Sequence, residues 1–358
     1  MSIVLNTSTK RPSSVLQTLL RTMIFSGDLV VGELLPSVRE LSIEYKLAPK
    51  TVNRAMKSLE SEGLISIEPR IGSRVLSTTN NSIKGRPVAF ILDSNELTID
   101  SPLHFALRSL LEKKLAEKSC PVLCIFSLKM SIDEIVEQLK MARVWGVILD
   151  TVNLDLLKRI KEIGIPAVMM DAWVEDAPFD VVLQDNYQGG YKAADYLIKK
   201  GFKNIAWLGP IKQSAISRER FGGASSALAS NGSCLQPNMC YECHPYHATD
   251  TVKKLLTKKN RPDAIISMWH ETSITVARVA KELNIKIGTD IHMIGWTTED
   301  RYELFSNAFK PNEIPPTIIW QPEDMAVATI SRLTEHSNNK DLPTQRILMG
   351  TKIKHPKN

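Results

Sequence analysis

Short apolar runs separated by amphipathic helical stretches fill the last three quarters of the chain, and they constrain its fold most. The runs have the character of strands buried on both faces: VAFILD, PVLCIF, WGVILD, PAVMMD, IAWLG, DAIISM and HMIGW. Amphipathic stretches such as residues 102–117 and 186–200 lie between them. Because apolar strands that alternate with helices form parallel sheets covered on both faces, we predict an α/β domain. Its roughly 270 residues are enough for two lobes.

Composition and the N-terminus limit the class of protein. The chain is 43% hydrophobic and 23% charged, as in ordinary globular proteins. The first residues, MSIVLNTSTKRPSS, lack the apolar core of a signal peptide, and no apolar run approaches the roughly 18 residues of a membrane span. Five cysteines, an odd number, do not suggest a disulfide framework. We therefore expect a cytoplasmic protein with reduced thiols and no membrane contact.

The positive charge is concentrated near the N-terminus. Residues 1–86 contain twelve Lys and Arg against seven Asp and Glu, a net charge of +5 out of the +6 of the whole chain. A basic surface on a small unit favours a polyanionic partner such as nucleic acid.

The first 76 residues predict three short helices. An apolar stripe at helical spacing indicates the first helix. Ser37 and Glu40 have the spacing of a capping box at the start of the second. Pro49 suits the first position of the third. The turn between the second and third helices is short, as in a helix-turn-helix that places its third helix in the DNA major groove.

The outward positions of the third helix are the candidates for DNA contact. They are polar or basic: Lys50, Thr51, Asn53, Arg54 and Lys57. Thr51 and Asn53 can form hydrogen bonds with base edges, whereas the three basic side chains suit phosphates.

A hairpin is predicted directly after the third helix, in LISIEPRIGSRVL. Its tip supplies four further candidates for DNA contact: Arg70, Gly72, Ser73 and Arg74. Together with the three helices, this hairpin predicts a winged helix-turn-helix at residues 1–76. A polar segment without periodicity, residues 77–86, has the composition of a linker to the domain at 87–358.

Residues 13–77 resemble the DNA-binding domain of the GntR family. The shared pattern runs through GELLPSVREL, TVNRA and LESEGLI to a wing that contains glycine. This resemblance implies DNA-contacting roles for Arg39, Thr51 and Gly72. Two positions depart from the family pattern, because Ala48-Pro49 replaces the usual Ser-Arg and Arg70 replaces the first wing glycine. The operator sequence of the family therefore cannot be transferred to this chain.

Ligands of doubly wound sheets lie beyond the carboxyl ends of the strands. That rule selects polar and aromatic residues that follow the predicted strands: Asp93, Ser94, Asn95, Asp171, Ala172, Trp173, His270, Trp296 and Thr297. Trp offers a flat face to a sugar ring or a base, and polar groups supply directional contacts in a cleft. For a single residue the alternatives are a helix cap for Asp and a core position for Trp.

Residues 86–353 are similar to LacI-family effector domains. The similarity is carried by FDVVLQDNYQGGYKAADYLIKKGFKNIAWLG with the later Arg220, and it continues through RPDAIISMWHETS and PPTIIWQPEDMAVATI. It implies a periplasmic-binding-protein-like fold of two α/β lobes. It also implies a small effector in the cleft and a homodimer formed through the lobes.

The same resemblance implies roles for three residues. Asp171 matches an acidic ligand contact, Arg220 the arginine that holds the effector, and Gln321 a polar residue near the hinge. Asp185 and Asn186 are interpreted as caps of the following helix and not as ligand contacts.

Departures from the family occur in the predicted cleft. Trp269-His270 replaces the common Asn-Asp, and Thr297-Thr298 replaces an Asp pair. We expect a sugar or sugar derivative, without the usual hexose contacts. The predicted effector-binding residues are Ser94, Asp171, Arg220, Trp269, His270, Trp296, Thr297 and Gln321.

A cysteine- and histidine-rich segment, CLQPNMCYECHPYH, is the best metal candidate. Cys240, Cys243 and His247 could supply zinc ligands. The segment coincides with a predicted strand, whose alternation would separate Cys240 from Tyr241 and scatter the ligands. We predict no metal and no cofactor, and we find no Walker loop, HExxH or G-x-S-x-G motif to indicate an enzyme.

These features predict a dimeric transcriptional regulator, a repressor, that binds a palindromic double-stranded DNA operator and responds to a small carbohydrate effector. The alternative is a solute-binding sensor whose N-terminal module binds protein instead of DNA.

Overall fold

The computed structural model describes residues 12–26, 28–69, 71–76, 85–92, 102–339 and 342–356. The chain divides into two compact units, Met1–Arg86 and Pro87–Asn358. Several predicted positions lie outside the described residues: Arg70, Asp93, Ser94, Asn95 and the segment 77–84 of the predicted linker.

The first unit contains three helices followed by a hairpin: α1 (Pro12–Ser26), α2 (Val38–Glu44), α3 (Pro49–Ser61), β1 (Ile65–Glu68) and β2 (Gly72–Val75). The two strands pair antiparallel, with Ile65 opposite Val75 and Glu68 opposite Gly72. Leu34 forms a bridge to Arg74 on the other side of β2.

Local sequence explains where these helices begin and end. The Ser37 side chain accepts from the Glu40 amide and the Glu40 side chain accepts from the Ser37 amide, so the predicted capping box is confirmed. Pro49 occupies the start of α3, where its missing N–H costs no hydrogen bond. Lys46 has a φ of 52° in the turn between α2 and α3, which lets this short turn reverse sharply.

An apolar core, together with an ion pair between α1 and the end of α3, stabilises the first unit. The core gathers one face of each helix and the inner side of the hairpin: Leu16, Leu20, Ile24, Leu29, Leu35, Leu41, Val52, Ala55, Met56, Leu59, Leu64, Ile65 and Val75. Arg21 of α1 donates to Glu62 at the end of α3, with Nε 3.0 Å from Oε2 and a terminal nitrogen 2.8 Å from Oε1. Core and ion pair leave the opposite face of α3 free of packing.

The second unit alternates strands and helices. Its strands are β3 (Val88–Leu92), β4 (Val122–Phe126), β5 (Gly146–Asp150), β6 (Ala167–Met170), β7 (Asp180–Gln184), β8 (Ile205–Leu208), β9 (Cys240–Tyr241), β10 (Ala264–Ser267), β11 (His292–Thr298), β12 (Thr317–Trp320), β13 (Arg346–Met349) and β14 (Lys352–Lys354). Its helices are α4 (Pro102–Ala116), α5 (Ile132–Met141), α6 (Leu154–Ile163), α7 (Asn186–Lys199), α8 (Ala215–Ser230), α9 (Thr249–Thr257), α10 (His270–Glu282), α11 (Tyr302–Ser306) and α12 (Pro322–Asn338).

These strands form two six-stranded sheets, one in each lobe. The first lobe has the order β13-β7-β6-β5-β3-β4, and all its neighbours are parallel. The second has the order β14-β12-β11-β10-β8-β9, in which only β14 is antiparallel. The predicted two-lobed α/β fold with parallel sheets is confirmed.

The chain passes between the lobes at three places: after β7 at Asp185, after β12 at Gln321, and between β13 and β14 at residues 350–351. Each lobe is therefore built from two separate stretches of the chain, and the carboxyl ends of both sheets meet near these crossings. None of the described helices is long and apolar enough to cross a membrane.

Candidate functional site

The exposed face of α3 brings the predicted DNA-contacting residues together. Five of them border one shallow groove with Pro12, Ser13 and Ala48: Lys50, Thr51, Asn53, Arg54 and Lys57. Four of the five side chains are exposed and Thr51 is half-buried, because Val52, Ala55, Met56 and Leu59 fill the opposite face. Among the described residues, the basic side chains of this groove form no ion pair. They are therefore free to meet an external anion.

Arg39 and the hairpin lie outside this groove. Arg39 is exposed on α2, and Gly72 is exposed at the start of β2 with a φ of 127°, a conformation that favours glycine. Arg74 is half-buried, and it donates to the Gly32 carbonyl at 2.5 Å while its Nε lies 3.8 Å from Glu68. Arg74 thus stabilises the hairpin through contacts within the first unit. Ser73, the residue before it, is half-buried.

The cysteine- and histidine-rich segment does not form a metal-binding cluster within the described residues. Its strand, β9, is limited to Cys240 and Tyr241, and a short 3-10 turn follows at Pro245–His247. Burial raises the pKa of Cys243 to about 11, and burial with the nearby Glu242 carboxylate raises the pKa of Cys240. Protonated thiols are poor metal ligands.

A cavity of about 410 Å³ lies between the two lobes of the second unit. Aromatic side chains line it from both lobes: Trp173, Tyr246, Trp269, Trp296 and Trp320. The predicted residues Asp171, Arg220, His270 and Thr297 also line it. The strand-end rule and the resemblance therefore selected residues that the fold brings to one cleft.

Arg220 is the central cation of the cleft. Its guanidinium carbon lies 4.0 Å from the centre of the Trp296 ring and 4.8 Å from that of Trp269, within range of cation–π attraction to both. Its Nε donates to Asn186 Oδ1 at 2.8 Å, and a terminal nitrogen donates to the Met268 carbonyl. Burial lowers the pKa of Arg220, while the Asp171 and Glu271 carboxylates oppose that shift.

The interpretation of Asn186 as a helix cap is wrong, whereas that of Asp185 is confirmed. Asp185 accepts from the Gln188 amide at the start of α7. Asn186 is the next residue and is fully buried, and its amide nitrogen donates to the Gln184 carbonyl at 3.0 Å. The Asn186 side chain therefore orients Arg220. The sequence does not reveal this role of Asn186, because Asn186 directly follows Asp185, which caps the helix.

Two glycines make room for the tryptophans that flank Arg220. A Cβ atom at Gly189 would lie 2.4 Å from the Trp296 ring, and one at Gly209 would lie 2.6 Å from the Trp269 ring. Gly209 also has a φ of 141°. Since real Cβ contacts are not this short, any larger residue would displace the indole that it faces.

Asp171 lies at the end of β6 in a strained backbone conformation with a φ of 54°. Such conformations in non-glycine residues cluster at ligand sites. Its Oδ1 accepts from Gln184 Nε2 at 3.1 Å, and Gln184 Oε1 accepts from Trp296 Nε1 at 3.0 Å. Burial raises the pKa of Asp171, although Gln184 and Arg220 favour its charged form. No sequence pattern singles out Gln184, whose side chain forms hydrogen bonds to both lobes.

Further polar groups line the second-lobe side of the cleft. His270 Nδ1 lies 2.7 Å from Thr297 Oγ1, and burial lowers the pKa of His270 to about 3, so this imidazole is neutral at pH 7. Arg301 lies 3.5 Å from Glu271. The hydroxyl of Thr298 is buried without a hydrogen-bond partner among the described residues.

Gln321 is exposed at the crossing between β12 and α12 and does not line the cavity. Its position at a crossing is compatible with the predicted place near a hinge, and its role in effector binding stays a prediction.

Two family models match the chain. Residues 12–75 match bacterial regulatory proteins of the gntR family. Residues 89–331 match periplasmic binding proteins and the sugar-binding domain of the LacI family. The two matches fall within the first and the second compact unit, respectively.

Similar proteins include named repressors. The HTH-type transcriptional repressor PurR of Photobacterium profundum is 29% identical over 175 residues, which are 48% of this chain and 49% of that protein. The ribose operon repressor of Haemophilus influenzae is 25% identical over 182 residues, 49% of this chain and 53% of that protein. The chain thus spans about half the length of the curated relatives it matches.

Solved structures extend the likeness in fold. A transcriptional regulator CelR–cellobiose complex superposes with a TM-score of 0.66 at 15% identity, covering 90% of this chain and 99% of that one. A LacI family regulator from Enterococcus faecium with bound ribose gives a TM-score of 0.64 at 18% identity, covering 75% and 97%. With its family match extending over more than half of its residues, the chain belongs to the family of periplasmic binding proteins and LacI-type sugar-binding domains.

Proposed function

We propose that this chain is a DNA-binding transcriptional repressor whose affinity for DNA is controlled by a small carbohydrate in the cleft of its second unit. The observation that carries the proposal is the exposed face of α3, where basic side chains without protein partners among the described residues surround Asn53. The named repressors among its relatives support the same function.

The first unit would bind DNA through α3. Asn53 and Thr51 are suited to base edges in the major groove, and Asn prefers adenine. Lys50, Arg54 and Lys57 are suited to the flanking phosphates, because Lys and Arg neutralise phosphate charge and release counterions. Arg39 and the hairpin around Gly72 would add backbone contacts outside the groove.

The second unit would bind an uncharged, hydroxyl-rich ligand. The aromatic rings from both lobes offer flat faces to a sugar ring. Two polar pairs at the wall of the cleft are already engaged, since Arg301 lies 3.5 Å from Glu271 and His104 Nε2 lies 3.2 Å from Asp150 Oδ2. A ligand hydroxyl can both donate and accept, so it can form a hydrogen bond with either the Asp171 carboxylate or the Arg220 guanidinium that line the cleft. Sugars are bound in the structural neighbours CelR and the Enterococcus faecium regulator.

A homodimer would allow two first units to occupy the two halves of a palindromic operator. Apolar residues are exposed on the edge strand β4 and the helix beside it, with Phe105 73% and Phe126 41% exposed. Exposed apolar side chains of this kind are typical of subunit contacts. We infer that the second copy packs against this edge of the first lobe. The dimer would act where the chromosome lies, in the bacterial cytoplasm.

Control by the effector requires different affinities in two states. The ligand must favour one arrangement of the lobes and DNA another, because a ligand that binds both arrangements equally shifts nothing.

The experiment that tests DNA binding is fluorescence anisotropy with a labelled fragment from upstream of the protein's own gene. We expect binding that weakens steeply with salt, and at least a tenfold loss in an Arg39→Ala, Arg54→Ala double variant. The matched control is Lys140→Ala with Lys158→Ala, which removes two exposed charges from the second unit. Equal binding by the wild type and the first double variant would contradict the role of α3.

A further inference from the structure

We propose that Gln184 is a positioning residue that orients the Asp171 carboxylate for ligand and connects its protonation and occupancy to Trp296 of the other lobe. The proposal rests on the proposed function only in taking the interlobe cleft as the ligand site.

The side-chain amide of Gln184 forms one hydrogen bond to each lobe. Gln184 is the last residue of β7 in the first lobe, immediately before the crossing at Asp185, and it is 1% exposed. Its nitrogen donates to Asp171 Oδ1 of the first lobe at 3.1 Å, and its oxygen accepts from Trp296 Nε1 of the second lobe at 3.0 Å. A single side chain therefore bridges a cleft carboxylate and an indole across the two lobes.

The side-chain amide of Gln184 satisfies both partners, because it carries a donor and an acceptor. The Asp171 carboxylate requires a donor and the Trp296 indole N–H requires an acceptor. Leucine would fill the space and satisfy neither, which leaves two polar groups unpartnered. Glutamate would still accept from Trp296 but would place a second carboxylate against Asp171, so that the pair could not remain fully ionised without repulsion.

The bond to Gln184 also determines how Asp171 meets a ligand. With Oδ1 held by Gln184, Oδ2 has no hydrogen-bond partner among the described residues, and Asp171 lines the cavity. A ligand hydroxyl can donate to Oδ2 without competing with the protein. Asp171 is thereby oriented as an acceptor for a ligand hydroxyl.

In the second lobe, the position of the Trp296 ring affects Arg220, because the two side chains are in contact. The indole fits against Gly189 without spare room, and the Arg220 guanidinium lies 4.0 Å from its ring. A change in the Gln184 bond therefore displaces or frees the ring that supports the central cation of the cleft. Through these contacts the first-lobe carboxylate is linked to the second-lobe cation.

The test observes the indole N–H of Trp296 by NMR in the full-length protein labelled with 15N-tryptophan. All six tryptophans lie between residues 145 and 320, so the spectrum reports on the second unit alone. In the wild type we expect the Trp296 signal to shift as Asp171 is protonated, with a midpoint above the ordinary value of 3.8 because burial raises the pKa of Asp171. Asp171→Asn should abolish this shift.

Gln184→Leu should abolish the same titration and speed exchange of the Trp296 N–H with water by about tenfold or more, because the N–H loses its acceptor. Gln213→Leu is the matched control, since Gln213 lines the cleft without any bond to Asp171 or Trp296. A Trp296 signal that titrates with Asp171 as before in Gln184→Leu would overturn the proposal, as would unchanged exchange.

A second arm uses cellobiose and D-ribose as probes in calorimetric titrations. For whichever sugar binds the wild type, Gln184→Glu should lose affinity by about tenfold or more as the pH rises from about 5 to 8, a larger change than the wild type shows, because the variant alone has two adjacent carboxylates to ionise. A merely structural role would lower stability without creating this pH dependence. If neither sugar binds the wild type, the carbohydrate part of the proposed function fails, and the NMR titration still decides the role of Gln184.

Discussion

The guanidinium carbon of Arg220 lies 4.0 Å from the centre of the Trp296 ring, so the central cation of the cleft contacts a buried indole. Trp269 covers the same guanidinium at 4.8 Å. The planar guanidinium suits this arrangement, because it can contact both ring faces while it donates to Asn186 and to the Met268 carbonyl. Ligand binding should therefore depend on the shape of the cation as well as on its charge.

Arg220→Lys tests that dependence. Lysine keeps the positive charge but loses the stacked plane and the directed donors, so we expect sugar affinity to fall by about tenfold or more. Titration calorimetry with the sugar that most raises the melting temperature of the wild type measures the effect. Arg278→Lys, at an exposed position of α10, is the control and should bind normally. Equal affinities in all three proteins would remove Arg220 from the binding site.

Thr298→Val should stabilise the second unit. Thr298 is 4% exposed and its hydroxyl has no hydrogen-bond partner among the described residues, so its removal relieves a desolvation cost of about 1–3 kcal/mol. Thr329→Val is the matched control, because the Thr329 hydroxyl donates to the Met325 carbonyl at 2.8 Å. The control should be neutral or destabilised. Urea unfolding followed by tryptophan fluorescence measures both, and a loss of stability in Thr298→Val would refute this interpretation.

The Asp180 carboxylate should govern acid stability of the first lobe. Burial alone would raise its pKa, but Arg332, the Gln345 amide and His336 donate to it and lower the pKa below the ordinary 3.8. Because the folded pKa lies below the unfolded one, its stabilisation is present above pH 3.8 and is lost as the pH falls through the folded pKa.

Asp180→Asn should therefore destabilise the second unit by about 1.5–3 kcal/mol at pH 7, the cost of losing a hydrogen-bonded charge, because Arg332 loses its buried partner and, among the described residues, keeps only the ion pair with Glu335. The difference from the wild type should shrink as the pH falls below about 4. Urea denaturation at several pH values provides the measurement. A difference that grows at low pH would have the wrong sign for this account.

Phe126→Glu should weaken the dimer. Phe126 ends the edge strand β4, and a charge at this exposed apolar position costs free energy if a second copy packs there. Sedimentation velocity should show a larger monomer fraction than in the wild type. The control Leu304→Glu alters an exposed apolar residue of the second lobe. Unchanged association in Phe126→Glu would place the contact elsewhere.

Much of this fold could be predicted from the sequence because its patterns are local. Capping at Ser37 and Asp185 depends on a few neighbouring residues, and the seven apolar runs all became strands. The short strands β13 and β14 carry no comparable run, since β13 is only partly buried and both lie at sheet edges. These two strands form only by pairing with β7 and β12, which are far from them in the sequence.

The cleft was less predictable, since its contacts join residues far apart in the chain. Strand ends located Asp171, His270 and Trp296, but no spacing rule connects Gln184 with Trp296 across 112 residues. Asn186 was misinterpreted because its neighbour Asp185 already satisfies the helix end. Its bond to Arg220 depends on the packing of α7 against α8.

The most direct test of the account is the affinity for the upstream DNA fragment with and without the sugar that binds the cleft. We predict that saturating sugar changes the dissociation constant for DNA by at least about fivefold, the lower end of typical coupling between sites. The Arg220→Lys variant should bind DNA as the wild type does and respond only at higher sugar concentration. A wild type that binds both sugar and DNA, with a DNA affinity that sugar leaves unchanged, would contradict the claim that the cleft controls the DNA-binding unit.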